Sequence, residues 1–388
     1  MKKKFLPMLL SVSMIATLLP VPVMAATTFE DIQGHWGERA IERWVDYGIV
    51  NGDNGQFRPD DPLTRGEMAV IIANLLNLEN KSENNPFSDL DDNWYTDPLL
   101  ACYEAGVFSG DAAGTIRPND TITRQEAMVV LCNAMRIAPK EGSLNHFNDG
   151  AAVADWAVGF VKALTDAGIV NGVGDNMLQP NGEISRASVV TILNNAITVY
   201  ANQEGQSVEA TGGIAIVASK GVTVTGVADY VLALDSVAAG KVTLDDLKVN
   251  GEVTIEGQNA QVILAGETTA DDVVVADSAD GAVLTVDENA DAGNVTVGAA
   301  HATVDVKGKA RTITVNESAE ETTVTIAAEA EADNVLVEAA GTKVTVDGDV
   351  ENISLDKTAE ESKVTVSKDA HVDSVKTDAP KTDILVQG

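Results

Sequence analysis

The chain has 388 residues, of which 59 are acidic and 26 basic, for a formal net charge of −33 and a pI near 4.2. This balance excludes nucleic acid as a partner, because phosphate binding needs clustered Lys and Arg that release counterions, and no such cluster follows the first few residues. Two cysteines in a chain of this length do not make a disulfide scaffold.

Residues 1–25 read as a signal peptide. Lys2, Lys3 and Lys4 give a basic start, residues 5–19 an apolar run, and Val23, Met24 and Ala25 a small-residue cleavage pattern. A mature chain is therefore expected to begin at Ala26. No other stretch approaches the ~20 apolar residues that cross a bilayer. No membrane span is expected after cleavage, and some other device must retain the exported protein.

From Ala26 to Ala201 one pattern occurs three times. Leu63, Thr64, Arg65, Gly66 and Glu67 return as Ile122, Thr123, Arg124, Gln125 and Glu126, and again as Ile184, Ser185, Arg186, Ala187 and Ser188. A Phe-x-Asp opens each copy (Phe29/Asp31, Phe87/Asp89, Phe147/Asp149), followed by Trp36, Trp94 and Trp156. Pro59, Pro118 and Pro180 mark a later turn. A recurring period with this many matched positions means three copies of one folding unit, with expected boundaries 26–85, 86–144 and 145–201. Ala40, Ile41, Trp44 and Val45 share one helical face, and Gly48, like Gly106 and Gly168 after it, stands where a left-handed residue ends a helix. A second helix is expected from each arginine. Thr64 with Glu67, and Thr123 with Glu126, fit a capping box; Ser185 can cap, but Ser188 replaces the reciprocal acid. Cys102 and Cys132 fall on apolar helix faces, as buried reduced thiols or, less favoured, as a disulfide.

Residues 202–212 are polar and Gly-containing and read as a linker. Over residues 213–388 Tyr230 is the sole aromatic, and the period changes. Leu284, Val304, Val324, Val344, Val364 and Ile384 recur every 20 residues, each with an apolar i+2 partner. A second set, Val273, Val295, Ile313, Val335, Ile353 and Val375, implies two strands per coil. Alternation within a strand plus a fixed repeat between strands predicts an all-β parallel β-solenoid of about eight or nine coils, a rod on the order of 40 Å long. The outward row of Thr285, Asp305, Thr325 and Thr345 is what β-propensity alone gives. The positions after each inner pair, Asp287, Lys307, Ala327, Asp347, Ser367 and Gln387, form no ladder of one sign, and His301 and His371 do not share a register. No catalytic residue, metal or cofactor is therefore expected on the rod. The last coil ends on Ile384, Leu385 and Val386, an edge that can pair with another chain, so self-association through the solenoid is a candidate property.

The threefold pattern Phe-x-Asp, Trp, Gly-x-x-x-Gly, Pro and Ile-Thr-Arg-x-Glu resembles the S-layer homology module of surface proteins from Gram-positive bacteria. The resemblance implies a pseudo-threefold helical bundle whose grooves bind secondary cell-wall polysaccharide, a peptidoglycan-linked polymer often ending in a pyruvylated sugar. Carried onto this sequence, the implied ligand residues are Arg65, Arg124 and Arg186; the glycine pairs Gly48/Gly52, Gly106/Gly110 and Gly168/Gly172; Trp36, Trp94 and Trp156; and Asp31, Asp89 and Asp149. A forked guanidinium beside the N–H groups of a helix start suits a carboxylate. A cation at the first helical position otherwise opposes the helix dipole. The phenylalanines are expected in the core, and the aspartates either at the ligand or capping the following turn. Ser188, and Val173 where an Asp would follow Gly172, set the third copy apart, and the first two copies stand closer to the pattern. The expected function is that of a non-enzymatic, wall-anchored surface protein displaying an acidic solenoid; the alternative is a wall-anchored polysaccharide-processing enzyme with its site on the β-helix.

Overall fold

The structure, a computed structural model, describes residues 29–80 and 84–387; the expected signal peptide lies outside them. Each repeat contributes two helices: α1 (Glu38–Asp46) and α2 (Arg65–Leu76), α3 (Thr96–Glu104) and α4 (Arg124–Ala134), α5 (Asp155–Asp166) and α6 (Arg186–Ala196). Both capping boxes form, with Thr64 and Thr123 accepting from the N–H groups of Glu67 and Glu126 and each glutamate returning the bond. Ser185 caps α6 through the Ser188 N–H alone. Gly48, Gly106 and Gly168 follow the first helices at φ of +74°, +69° and +68°, a region that costs a residue with a β-carbon roughly 1–2 kcal/mol.

The three repeats close into a ring. Helix α2 packs on α3, α4 on α5, and α6 returns to α1. At the centre the N–H of Leu63 donates to the Ile184 carbonyl (3.0 Å), that of Ile122 to Leu63 (2.9 Å) and that of Ile184 to Ile122 (3.2 Å). All three side chains are fully buried. This cyclic triad lies on the pseudo-threefold axis, and it explains why the residue before each Thr/Ser-Arg is a bulky aliphatic. Cys102 and Cys132 are free, buried thiols, and burial pushes both up to about 12.

Helix α6 runs without interruption into strand β1 (Ile197–Ala201), followed by β2 (Ser207–Thr211) and β3 (Ile214–Val217). The stretch expected as a linker is thus part of the first coil. Its only apolar alternation is Val208 and Ala210, too short and too weak to stand out among polar neighbours. The rod holds 19 strands in about 10 turns, more than the eight or nine expected, because coiling starts at β1. Stacking at ~4.8 Å makes it on the order of 45 Å long.

Every strand pairing is parallel, and two ladders face each other. One aligns Leu284, Val304, Val324, Val344, Val364 and Ile384; the other aligns Val273, Val295, Ile313, Val335, Ile353 and Val375. The register read from the 20-residue period is the observed one. At one corner Thr322, Thr342 and Ser362 are buried and donate their hydroxyls to the carbonyls of Ala299, Ala339 and Ala339.

Bundle and rod share a core. Ile197, Tyr200, Ile214, Ile216, Leu232 and Leu234 pack with the helical repeats. The Tyr200 hydroxyl donates to the Leu75 carbonyl at 3.0 Å, and its ring lies 5.1 Å from Tyr47 and 5.8 Å from Trp44. Farther along, the Arg136 guanidinium donates twice to Glu256 Oε1, at 2.9 and 2.7 Å.

Candidate ligand-binding grooves

The Phe-x-Asp residues build the scaffold on which the grooves rest. Asp31 accepts from the N–H groups of Phe57 (2.9 Å) and Arg58 (2.6 Å). Asp89 does the same for Ile116 and Arg117 (2.9 and 2.8 Å), and Asp149 for Leu178 and Gln179 (2.6 and 2.7 Å). Arg58, Arg117 and Gln179 sit at φ of +56°, +53° and +51°, each just before a proline. The carboxylate therefore braces a left-handed turn far along the chain instead of capping the turn that follows it. Burial opposes ionisation of Asp31, but the two N–H bonds outweigh it and hold the carboxyl below its ordinary range. Phe29, Phe87 and Phe147 are core residues. Their rings lie over Gly52, Gly110 and Gly172, where a β-carbon would strike the ring in the first two repeats and crowd it in the third.

The arginines are not the surface donors that their place at a helix start suggested. Arg65 and Arg124 are only 6% and 7% exposed. Each reaches into the next repeat around the ring. Arg65 Nε donates to the Ile116 carbonyl (2.7 Å) and its Nη2 to Ser109 (3.1 Å). Arg186 Nε donates to Phe57 (2.9 Å) and its Nη2 to Asn51 (2.7 Å). Arg124 Nε donates to Leu178 (3.0 Å). The first two N–H groups of each of these helices are likewise consumed, going from Arg65 and Gly66 to Asp120 and Pro118, from Arg124 and Gln125 to Gly182 and Pro180, and from Arg186 and Ala187 to Asp61 and Pro59. Neighbouring carbonyls thus offset both the helix dipole and the buried cation, and no open N–H cradle remains for an anion. Desolvation lowers the pKa of all three guanidinium groups, which remain charged.

The tryptophans are on the surface. Trp36, Trp94 and Trp156 are 63%, 62% and 54% exposed. A groove of about 180 Å³ brings together Asn51, Glu67, Val70 and Asn74 of the first repeat, Trp94 of the second and Arg186 of the third. By the correspondence of the repeats, the equivalent positions are Ser109, Glu126, Val129, Asn133, Trp156 and Arg65 for a second groove, and Asn171, Ser188, Thr191, Asn195, Trp36 and Arg124 for a third. The asparagines escaped the sequence reading, although each stands nine residues after its arginine. Their amides hold the carbonyls of Ile49 (3.2 Å), Val107 (3.4 Å) and Ile169 (3.0 Å), fixing the loop that ends in the second glycine.

Chemically the three grooves are unequal. Arg65 Nη1 lies 3.5 Å from Glu126, and Arg186 Nη1 4.0 Å from Glu67. Burial resists the charge on Glu126, but bonds from Thr123 and the cations Arg65 and Arg117 prevail, and its carboxyl is held low. In the third groove Ser188 stands where those acids stand. Among the described residues Arg124 makes no salt bridge and its terminal nitrogens make no hydrogen bond; the carboxylate whose charge reaches it is Asp149. Thr191 Oγ1 in the same groove is buried without a partner.

The family model of the S-layer homology domain matches residues 28–69, 86–128 and 146–190, the three segments that form the ring. Among similar proteins, Exoglucanase XynX of Acetivibrio thermocellus is 34% identical over 174 residues, covering 43% of this chain and 16% of that protein. The Surface-layer 125 kDa protein of Lysinibacillus sphaericus is 32% identical over 202 residues, covering 50% and 17%. S-layer protein sap of Bacillus anthracis is 28% identical over 275 residues, covering 70% and 31%. The chain thus spans less than a third of the length of each. Three of its segments match the S-layer homology domain, and a β-solenoid follows them.

Proposed function

We propose that the three grooves hold the protein at the wall by binding an acidic secondary cell-wall polysaccharide, and that the solenoid is a non-enzymatic rod displayed from that anchor. The observation that carries this is the composition of the first groove, which the repeat correspondence extends to the other two. An exposed indole, a buried arginine and a helix face come from three different repeats and meet only when the ring is closed. The indole offers a flat apolar face to a sugar ring, and the guanidinium offers an unsolvated cation to an acidic substituent such as a ketal-linked pyruvate. Arg65, Arg124 and Arg186 with Trp36, Trp94 and Trp156 are the proposed contacts. The glycine pairs and Asp31, Asp89 and Asp149 shape the loops beneath them. The proposed units are repeats at 26–85, 86–144 and 145–201, with the rod following. Arg124, which makes no salt bridge among the described residues where Arg65 and Arg186 each lie by a glutamate, makes the third groove the strongest anion site.

The competing reading is an anchored polysaccharide-processing enzyme, because relatives named as an exoglucanase and an amylopullulanase share the modules. The matches to the exoglucanase and the amylopullulanase run over 174 and 172 residues, no longer than the helical ring with its first strand. Those to an endoglucanase and to the Surface-layer 125 kDa protein run over 217 and 202, and those to three S-layer proteins of Bacillus over 271–275. Residues 26–388 should sediment with purified walls and stay in solution once the polysaccharide is extracted. Equal binding to stripped peptidoglycan refutes the polysaccharide assignment, and release of reducing sugar from wall polymer refutes the non-enzymatic one.

A further inference from the structure

The third groove position adjoins a second cavity. Ile49 and Asn74 line the first groove, and their counterparts in the third are Ile169 and Asn195. These same two residues also line a separate cavity of about 400 Å³ between the bundle and the first coils of the rod. Lys140 and Tyr230 stand in its wall together with Asp229 and Asn250. Tyr230 is the one aromatic residue of the rod beyond Tyr200 of its first strand, and it is half-buried here, where the rod meets the helices.

We propose that this cavity is a second saccharide subsite continuous with the third groove, so that one polymer chain runs from Arg124 along α6 to Tyr230. The inference rests on the groove reading above and extends it to a length of polymer. Seven residues of helix separate Ser188 from Asn195, a rise of about 10 Å, so a single sugar at Arg124 does not reach Tyr230 and a longer fragment does. The polar groups suit such a ligand. Asp229 is already used, accepting from the Gly213 N–H (2.8 Å) and from the Asn250 amide (3.2 Å). Those bonds orient Asn250 and leave its oxygen open to a hydroxyl donor. Asn195 gives its amide N–H to Ile169 and likewise keeps its oxygen. Lys140 makes no salt bridge among the described residues and can meet an acidic substituent on the polymer. A second cleft, of about 370 Å³, carries Glu79, Glu104 and Asp235 beside the Arg136–Glu256 pair, a net negative lining that disfavours an acidic chain.

The test uses residues 26–388 and wall polysaccharide released by acid, size-fractionated into single-repeat and longer fragments, with affinities measured by calorimetry. Wild type should bind longer fragments at least about tenfold more tightly than single repeats, the effect of one or two added hydrogen bonds. Lys140→Ala with Asn250→Ala, both exposed positions, should abolish that gain and leave single-repeat affinity unchanged. Tyr230→Ala should do the same, with Tyr230→Phe retaining the stacking part. Single repeats that bind without any gain with length overturn the second subsite alone. A gain that survives in the double variant also overturns it. Failure of every fragment to bind overturns the groove reading itself.

Discussion

Ser188→Glu separates stability from binding in the third groove. The substitution restores the acid that Glu67 and Glu126 supply in the other repeats, and two consequences follow from their geometry. One carboxylate oxygen would take the Ser185 backbone N–H, completing the capping box and adding about 1 kcal/mol. That corresponds to a rise of about 2–4 °C in Tm for a domain of this size. The other oxygen would face Arg124, as Glu126 Oε1 faces Arg65 at 3.5 Å, and would occupy the guanidinium that is otherwise unpaired. A charge-assisted bond to an acidic ligand is worth about 1.5–3 kcal/mol, so affinity for a single-repeat acidic wall fragment should fall by roughly 10- to 150-fold. Ser188→Gln is the control, because it can complete the cap but brings no charge. It should match the gain in Tm and keep most of the affinity. Differential scanning calorimetry and titration calorimetry on the same samples read both quantities. A stabilised Ser188→Glu protein that binds as tightly as wild type would show that Arg124 does not meet the ligand's acid.

Three further outcomes follow from the packing. Val324→Asp places an unpaired charge inside the rod and should unfold several coils, whereas Thr325→Asp on the outer face should be nearly neutral; far-UV circular dichroism during thermal melts distinguishes them. Asp89→Asn should destabilise the ring by about 1–3 kcal/mol by weakening two bonds to an anionic acceptor, seen as a lower urea midpoint. The carboxyls of Asp31 and Glu126 are held below their ordinary values, so the unfolded chain binds more protons in acid. Their contribution is complete above the ordinary carboxylate range and is lost as pH falls through that range and below it. Tm of the ring should therefore fall between about pH 5 and pH 3, and a flat profile there would contradict the assignment.

The rod's register and the ring's repeats were legible because each repeats a pattern that local physics enforces. A 20-residue recurrence of Val and Ile at i and i+2 leaves one inward face, and a Thr-x-x-Glu before an apolar run leaves one helix start. What stayed hidden was partnership between repeats. Nothing local to Arg65 tells whether its guanidinium meets water, a ligand or the carbonyls of Ile116 and Ser109, which lie 51 and 44 residues away. The same holds for Asp31, whose two acceptors reach residues 26 and 27 positions on. The departure at Ser188 was visible, but it read as a weaker copy. Only with Arg124 in place across the ring does the missing acid become an unpaired cation.

The shared core between bundle and rod bears on how a wall-bound anchor would set the direction of the rod. Ile214, Ile216, Leu232 and Leu234 all come from the first coils yet pack with the helical repeats. Fully burying an aliphatic side chain of that size stabilises by about 1.5–3 kcal/mol, so the four contribute on the order of 6–12 kcal/mol as an upper bound. That is comparable with the whole stability of a typical domain, about 5–15 kcal/mol. A fragment cut at residue 201 keeps Tyr200 and Ile197 but removes the strands that cover them. It should melt well below the full chain and associate through the uncovered face, whereas residues 26–276, which retain the covering strands and the Arg136–Glu256 pair, should remain monomeric. Size-exclusion chromatography and thermal melts of the two fragments compare them directly. A monomeric 26–201 fragment melting with the full chain would mean that the helices are complete without the rod. The junction would then act as a tether, and the rod's direction relative to the anchor would be free.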